Sequence, residues 1–316
     1  MLKLGVIADA HLCPGGAEVW GSQNDHVTED PEEGYRLALD LCAREGVDAI
    51  VLLGDLSQSG DDESLERGLK LAAETGLAVW AVSGNHDCFE RTGPLESATR
   101  RLGAEKVRLA TPAGEQTGEG LRVAGAGVAS GDWGYAAGGT PNARAWGDEP
   151  ALWLAHYPVL SFVDEVHEAG FVYGDDLEDR EEISRPLLER QAPTVVVNGH
   201  LHLRDAQTRG GVLQLSCAAL VEPPFEITLV EVGFEQESFF VRRRSGPVLP
   251  MPDGVRIPAL SPARGEWVFE GGAWHAVVGA ASGPFLSYGF RTHLIAPSCF
   301  FWKISYPRAA SSRGIV

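Results

Sequence analysis

Five histidines of this 316-residue chain stand in short polar clusters: Asp9-Ala10-His11, Gly84-Asn85-His86-Asp87, His156-Tyr157-Pro158 and Gly199-His200-Leu201-His202. A fifth cluster, Gly54-Asp55, supplies a carboxylate alone. Imidazole, carboxylate and amide oxygen together suit borderline divalent ions such as Mn, Fe, Zn or Ni. No cysteine belongs to the set, which argues against a structural zinc site. The seven candidate ligands Asp9, His11, Asp55, Asn85, His156, His200 and His202 exceed what one tetrahedral ion takes. Two ions sharing a bridging carboxylate would use them all. Within Asp9-x-His11 and His200-x-His202, alternate positions of an extended segment would face one side, so both members can reach one pocket.

Each cluster follows a predicted strand. Leu2–Ala8 is brief and apolar, Asp48–Gly54 holds the run Ala49-Ile50-Val51-Leu52-Leu53, and Leu77–Val82 repeats the pattern. Between them, Pro31–Gly46 and Asp62–Gly76 space their apolar residues as helices do, each with a glycine as its stop. Strand–helix–strand–helix–strand with short connections implies right-handed crossovers and a parallel sheet. Further strands are expected at Lys106–Ala110, Leu121–Val128, Leu152–Ala155, Thr194–Val197, Val212–Ser216 and Ile227–Val232. Several lack intervening helices, so a second, mixed sheet is expected: an α/β, two-sheet sandwich with helices outside. In open α/β sheets the carboxyl ends of the strands line one crevice, where the clusters would converge. A lone histidine after a strand reads as a turn residue held by backbone; five in this arrangement do not.

The ordered set Asp-x-His, Gly-Asp, Gly-Asn-His-Asp, His, Gly-His-x-His resembles the calcineurin-like metallophosphoesterase superfamily, from about Leu2 to Val232. The resemblance implies a hydrolase of phosphoric esters that uses a hydroxide bridging two metal ions. It implies that Asp9, His11 and His202 hold the first ion, that Asn85, His156 and His200 hold the second, and that Asp55 bridges them. His86 would face the scissile phosphate and leaving oxygen, and Asp87 would orient it by accepting its other ring N–H.

Departures narrow the resemblance. Purple acid phosphatases place a tyrosine where this chain has Gln58, and Ser/Thr protein phosphatases carry an arginine absent from Gly54-Asp55-Leu56-Ser57-Gln58-Ser59-Gly60. The stretch Gly54 to Asp87 is most similar to the bacterial class III group of cyclic-nucleotide and glycerophosphodiester phosphodiesterases, with Ser83 where many members have proline. The expected substrate is a small phosphodiester or phosphomonoester. Two other readings are a repair-type nuclease and a non-catalytic metal-binding scaffold. The intact His86 speaks against the scaffold.

Composition bears on the nuclease. The net charge of −18 repels a polyphosphate backbone, and no basic patch interrupts it, so general nucleic-acid binding is not expected. The five cysteines (Cys13, Cys42, Cys88, Cys217 and Cys299) share no paired spacing and read as reduced thiols of a cytoplasmic protein. No stretch has the apolar length of a membrane span.

Three segments stand apart. Asp164–Glu182 holds nine acids against one arginine and is read as a solvated loop and helix start, with a specificity flap as the alternative. Five prolines between Pro247 and Pro262 mark a linker. The expected organisation is a catalytic domain over 1–244, a linker over 245–265, and a small β appendage with tail over 266–316. The appendage begins as a hairpin at Glu266–Val278 around Gly271-Gly272, a candidate homodimer contact. All 44 acids precede Gly271. His26, His167, His275 and His293 have no motif partners and are taken as non-ligands. Trp20, Asn24 and His26 lie in the loop after Asp9-x-His11, where a substrate group could rest.

Overall fold

Helix caps and buried apolar runs fix the first part of the chain. In a computed structural model, which describes residues 1–14, 19, 21–89, 93–103, 105 and 107–277, β1 (Leu2–Ile7), α1 (Pro31–Glu45), β2 (Ala49–Leu53), α2 (Asp62–Glu74) and β3 (Ala78–Val82) follow one another. The Asp30 carboxylate accepts the Glu33 N–H at the start of α1, Pro31 opens the first turn, and left-handed Gly46 ends it. Asp61 caps α2 in the same way through the Ser64 N–H. Trp20, Lys106, Cys299 and the tail from Val278 onward lie outside the described residues.

The chain continues through α3 (Pro94–Leu102), β4 (Val107–Leu109), β5 (Glu115–Gln116), β6 (Arg122–Ala126), β7 (Val128–Ser130), β8 (Tyr135–Ala137) and β9 (Ala151–Ala155). Then come α4 (Val163–Glu168), α5 (Arg180–Leu188), β10 (Thr194–Asn198), β11 (Asp205–Arg209), β12 (Val212–Ser216), β13 (Glu226–Glu235), β14 (Ser238–Pro247), β15 (Arg264–Glu270) and β16 (Ala273–Ala276).

Two main sheets result, as the sequence led us to expect. One has eight strands in the order β16-β15-β14-β13-β1-β2-β3-β4; the other has six, β11-β12-β10-β9-β6-β5. β7 and β8 form a separate hairpin. β1 to β4 are parallel, as are β6, β9, β10 and β12, so both sheets send carboxyl ends to one edge.

Strand alternation builds three apolar layers. Val51 and Leu53 pack inward with Leu152, Leu154, Val195 and Val197 of the second sheet. Ile50 and Leu52, on the opposite face, pack on Tyr35, Leu39, Leu65 and Leu69 of α1 and α2. Trp153 and Val196 face outward on Trp146, Ile183 and Leu187. Strands covered on both faces read as unbroken apolar runs, which is why β2 and β10 were legible.

The C-terminal hairpin around Gly271-Gly272 forms as β15 and β16 and lies at the edge of the eight-stranded sheet. Residue 244, where a boundary was expected, falls inside β14, and Arg244 pairs with both Leu229 and Arg264. The proline-rich stretch runs along the body: Arg204 N–H donates to Pro258 O at 3.0 Å, and Leu260 N–H returns to Arg204 O at 2.9 Å. Arg243, fully buried, donates to Asp205 O at 2.6 Å and to Ser261 Oγ at 2.9 Å.

The acidic run differs from the solvated reading in part. Glu178 accepts the Asp132 N–H at 2.9 Å and the Trp133 N–H, clipping the β7–β8 turn. Asp179 accepts the Ala137 N–H at 2.9 Å. These acids answer backbone donors that the tight hairpin leaves open.

Candidate metal centre

The loops leaving β1 and β2 zip together. His11 N–H donates to Asp55 O at 2.9 Å, Leu12 N–H to Leu56 O at 2.9 Å, and Gln58 N–H to Leu12 O at 2.8 Å. This extends the parallel ladder past the strand ends and sets Asp9 and His11 beside Asp55. Across the sandwich, Gly199 N–H donates to His156 O at 3.0 Å, which aligns the loops after β9 and β10.

The backbone at these loops is not extended, contrary to the reading that alternate positions of an extended segment carry the ligands. Asp9, His11, Asp55, His200 and His202 have φ of 54°, 47°, 48°, 68° and 51°. They are five of the seven non-glycine residues at positive φ among those described. Left-handed conformations cost a residue with a Cβ about 1–2 kcal/mol each, and aspartate and histidine tolerate them better than most types. Strain gathered on so few residues marks a site that the surrounding packing enforces.

Three trios of side-chain donors each lie within 4.8 Å of one another: Asp9, His11 and His202; His11, Asp55 and His86; and Asp9, Asp55 and His156. His202 Nε2 is 3.5 Å from Asp9 Oδ1, His11 Nε2 is 3.8 Å from Asp55 Oδ2, and His156 Nε2 is 3.2 Å from Asp55 Oδ2. Asn85 Oδ1 sits 3.0 Å from His156 Nε2. His200 joins none of these trios; its ring lies 5.1 Å from that of His156 and stacks on Tyr157 at 3.7 Å. All seven candidate ligands are therefore neighbours, and His86 stands among them.

The opposite ring nitrogens are tied down. His11 Nδ1 pairs with Gln58 Oε1 at 2.9 Å, His156 Nδ1 with Leu53 O at 2.8 Å, and His202 Nδ1 with Glu222 Oε1 at 2.5 Å. Each anchor accepts the Nδ1 proton, so Nε2 is the nitrogen that faces the carboxylates and would turn to a metal ion, which is how protein partners orient a ligand ring. His11 Nε2 and His200 Nε2 are buried without a hydrogen-bond partner. The His11 nitrogen, 3.8 Å from Asp55 Oδ2, is costly to bury unless something occupies the space between them, whereas His200 Nε2 faces Gly174, where a Cβ would lie 2.8 Å away. The donor set, its burial and the orphaned His11 nitrogen fit a pair of divalent cations.

Electrostatics follow from burial. Burial raises the Asp9 carboxyl, but the His202 imidazole beside it outweighs this and lowers it; His156 does the same for Asp55. Burial depresses His11 to about 4 and His200 to about 3. Burial would also depress His156 and His202, yet Asp55 and Asp9 respectively lift them to about 9 and about 10.

One expectation is corrected. Asp87 does not receive the second ring N–H of His86. That proton goes to Gln58 O, 2.8 Å from His86 Nδ1, because the loop after Asp55 passes under the imidazole. The Asp87 oxygens accept backbone N–H groups instead, from Ser57 at 2.9 Å and Gly84 at 2.9 Å. Burial and the Asp55 charge push the Asp87 carboxyl up to about 7. Its role is to brace the turns after β2 and β3 against each other. Gly84 belongs to that junction, since a Cβ there would lie 2.1 Å from Asp55 Oδ1.

Two residues escaped the sequence reading. Gln58, weighed only as a tyrosine's replacement, anchors His11 by its side chain and His86 by its carbonyl. Glu222 lies outside every motif, and nothing in the sequence set it apart from the other acids. Of the loop residues expected near substrate, Asn24 donates its side-chain N–H to Pro223 O at 3.1 Å.

Comparison with known proteins bears on the family and the fold. The model of the calcineurin-like phosphoesterase family matches residues 2–204. A dimetal phosphatase from Danio rerio superposes with a TM-score of 0.56 at 16% identity, covering 78% of this chain and 96% of its own. A protein from Thermus thermophilus gives a TM-score of 0.49 at 13% identity, covering 78% and 99%. The family match spans well over half of the chain, from β1 to the end of the Gly-His-x-His cluster, and the chain belongs to the calcineurin-like phosphoesterase family.

Proposed function

We propose that this metal-dependent phosphoesterase hydrolyses a small phosphorylated molecule, with a phosphodiester as the preferred substrate. One observation supports the reading above the rest. In His11, His156 and His202, Nδ1 is fixed by a protein acceptor while Nε2 faces Asp9 or Asp55. Asp9, His11 and His202 would hold one ion, Asn85, His156 and His200 the other, and Asp55 both. Mn, Fe, Zn and Ni all suit these donors. When bound, such a pair supplies Lewis acidity, lowering the pKa of water and offsetting charge on phosphate oxygens.

His86 would act on the leaving group. Its Nδ1 proton is committed to Gln58 O in either charge state, so the exchangeable proton resides on Nε2. As imidazolium it donates that proton to the ester oxygen as the P–O bond breaks, while a water oxygen forms the new bond to phosphorus and gives one proton to solvent, from which the imidazole is reprotonated. Diester preference draws on the lack of an arginine free to grip phosphate in the stretch Gly54 to Asp87. The one described arginine between Gly54 and Asp87 is Arg67, whose guanidinium is engaged with Glu32. A diester with one negative charge needs no such clamp, whereas a monoester dianion profits from it. The similarity of Gly54 to Asp87 to class III phosphodiesterases supports the same choice. Unpaired cysteine spacing supports a place in the cytoplasm, and among the described residues no helix is long and apolar enough to cross a membrane.

The test compares bis(p-nitrophenyl) phosphate with p-nitrophenyl phosphate on metal-stripped protein resupplied with Mn, Zn, Fe or Ni. Diester turnover that returns with metal and is lost in Asp55→Asn is expected. Monoester turnover alone would overturn the diester preference.

A further inference from the structure

Glu222 is an acid with no exposed surface, lying between β12 and β13, 20 residues past His202 and outside every metal motif. A buried carboxylate is costly unless its lone pairs are filled, and here they are filled from two sides. Oε1 faces His202 Nδ1 at 2.5 Å and accepts the Ser22 N–H at 2.9 Å. Oε2 accepts the Asn24 N–H at 2.7 Å, and the Gln23 N–H reaches both oxygens at 3.1 Å. Three successive amides wrap one carboxylate, a close approach that needs Gly21. A Cβ at Gly21 would lie 2.6 Å from Glu222 Oε2.

The same loop reaches outward through Gln23. Its amide donates to Leu201 O, between the two Gly-His-x-His histidines, at 2.8 Å. It also exchanges a pair of bonds with Val172, accepting that N–H at 3.0 Å and donating to its carbonyl at 2.6 Å. One chain of contacts thus runs from His202 through Glu222 to the 22–24 loop and on to the segment after α4.

We propose that Glu222 is a positioning residue that holds His202 as a metal ligand and makes the order of the Ser22–Asn24 loop depend on that ligand. The inference rests on the metal-binding reading above and extends it to a residue and a loop outside its motifs. With Glu222 in place, His202 presents Nε2 to the Asp9 side of the site. When that imidazole is fixed by a metal ion, the carboxylate is fixed with it, and so are the three amides.

Glu222→Gln keeps the side chain's size but sets an NH2 group against backbone or imidazole donors, whichever way the amide turns. In metal-stripped full-length protein, titration calorimetry with Mn²⁺ should show affinity about 10–100-fold below wild type, the loss that removal of a histidine's outer partner brings. Amide hydrogen exchange at Ser22, Gln23 and Asn24 should quicken. Gln23→Ala, which leaves the Glu222–His202 contact alone, should keep Mn²⁺ affinity near wild type while exchange at the Val172 amide rises. Wild-type protein should protect Ser22–Asn24 more with Mn²⁺ than without, and this comparison decides the matter should Glu222→Gln fail to fold. Equal Mn²⁺ affinity in Glu222→Gln, or equal loop exchange in loaded and stripped wild type, would overturn the inference and leave the metal reading intact. A wild type that takes up no Mn²⁺, Zn²⁺, Fe²⁺ or Ni²⁺ would overturn both.

Discussion

His86 and the histidines around it share a crevice but are built for different tasks. His11, His156 and His202 are buried, with Nδ1 held by a protein acceptor and Nε2 toward a carboxylate, whereas His86 enters from a short 3-10 turn, His86–Cys88, and is itself only partly buried. Its removal should leave the other donors undisturbed. His86→Ala is expected to retain wild-type metal content by elemental analysis while turnover falls by about 10²–10⁴. Undiminished turnover would show that the leaving group needs no acid here. The buried histidines predict a second outcome. His156 and His202 are lifted from 6.5 to about 9 and about 10 by the carboxylates, so both carry protons in the metal-free site at neutral pH. Metal ions need the lone pairs those protons occupy, so uptake must release protons. A raised pKa stabilises the metal-free fold fully below 6.5 and ceases to do so as pH passes about 9–10. Metal affinity should therefore climb with pH across that window. Calorimetry at pH 7 in two buffers of different ionisation enthalpy should show proton release, and buffer-independent heats would refute it.

At the scale of elements, legibility followed the strength of the local signal. β1, β2 and β3 announced themselves as unbroken apolar runs, and α1 and α2 as periodic segments each stopped by a glycine. α5 was obscured because Pro186 lies within it and acids crowd its first turn. β14 was missed although Phe239, Val241 and buried Arg243 alternate correctly, since arginines on a strand read as surface. The clusters could be read as metal donors because residue type alone carries that chemistry. The left-handed backbone of five donors could not, because neighbouring loops impose it. Asp61 isolates the local contribution: its carboxylate caps α2 through the Ser64 N–H at 2.8 Å, away from the metal donors. Asp61→Ala should lower stability by about 1 kcal/mol in denaturant melts while metal content stays at the wild-type level. A loss of metal would show that α2 positions the site more directly than its packing suggests.

For the molecule as a whole, the question is where the fold ends. Composition suggested an appendage beyond the prolines, and the sequence could not say which strand would receive the hairpin. Packing answers it: Trp267 and Trp274 belong to the central cluster that also holds Leu4, Val51 and Val197. Trp274 touches Phe239 and Phe269 through edge-on ring contacts at 6.0 and 5.4 Å. Its indole N–H donates to Gly211 O at 2.9 Å, in the turn between β11 and β12, so one side chain ties the edge of the first sheet to the second. A tryptophan buried in this way stabilises by packing and by satisfying a buried carbonyl. Trp274→Ala should therefore cost about 3–5 kcal/mol, read as a lower denaturation midpoint with an unchanged slope. Residues 1–244 alone should not refold, because that cut severs β14 inside its pairing with β13 and β15. A folded and metal-competent 1–244 fragment would restore the appendage as a separate module. A stable Trp274→Ala would instead place the burden of the second sheet on β11 and β12. The expected losses, with metal content per folded molecule preserved in Trp274→Ala, would make the hairpin a structural closure of the sandwich, distant from its chemistry.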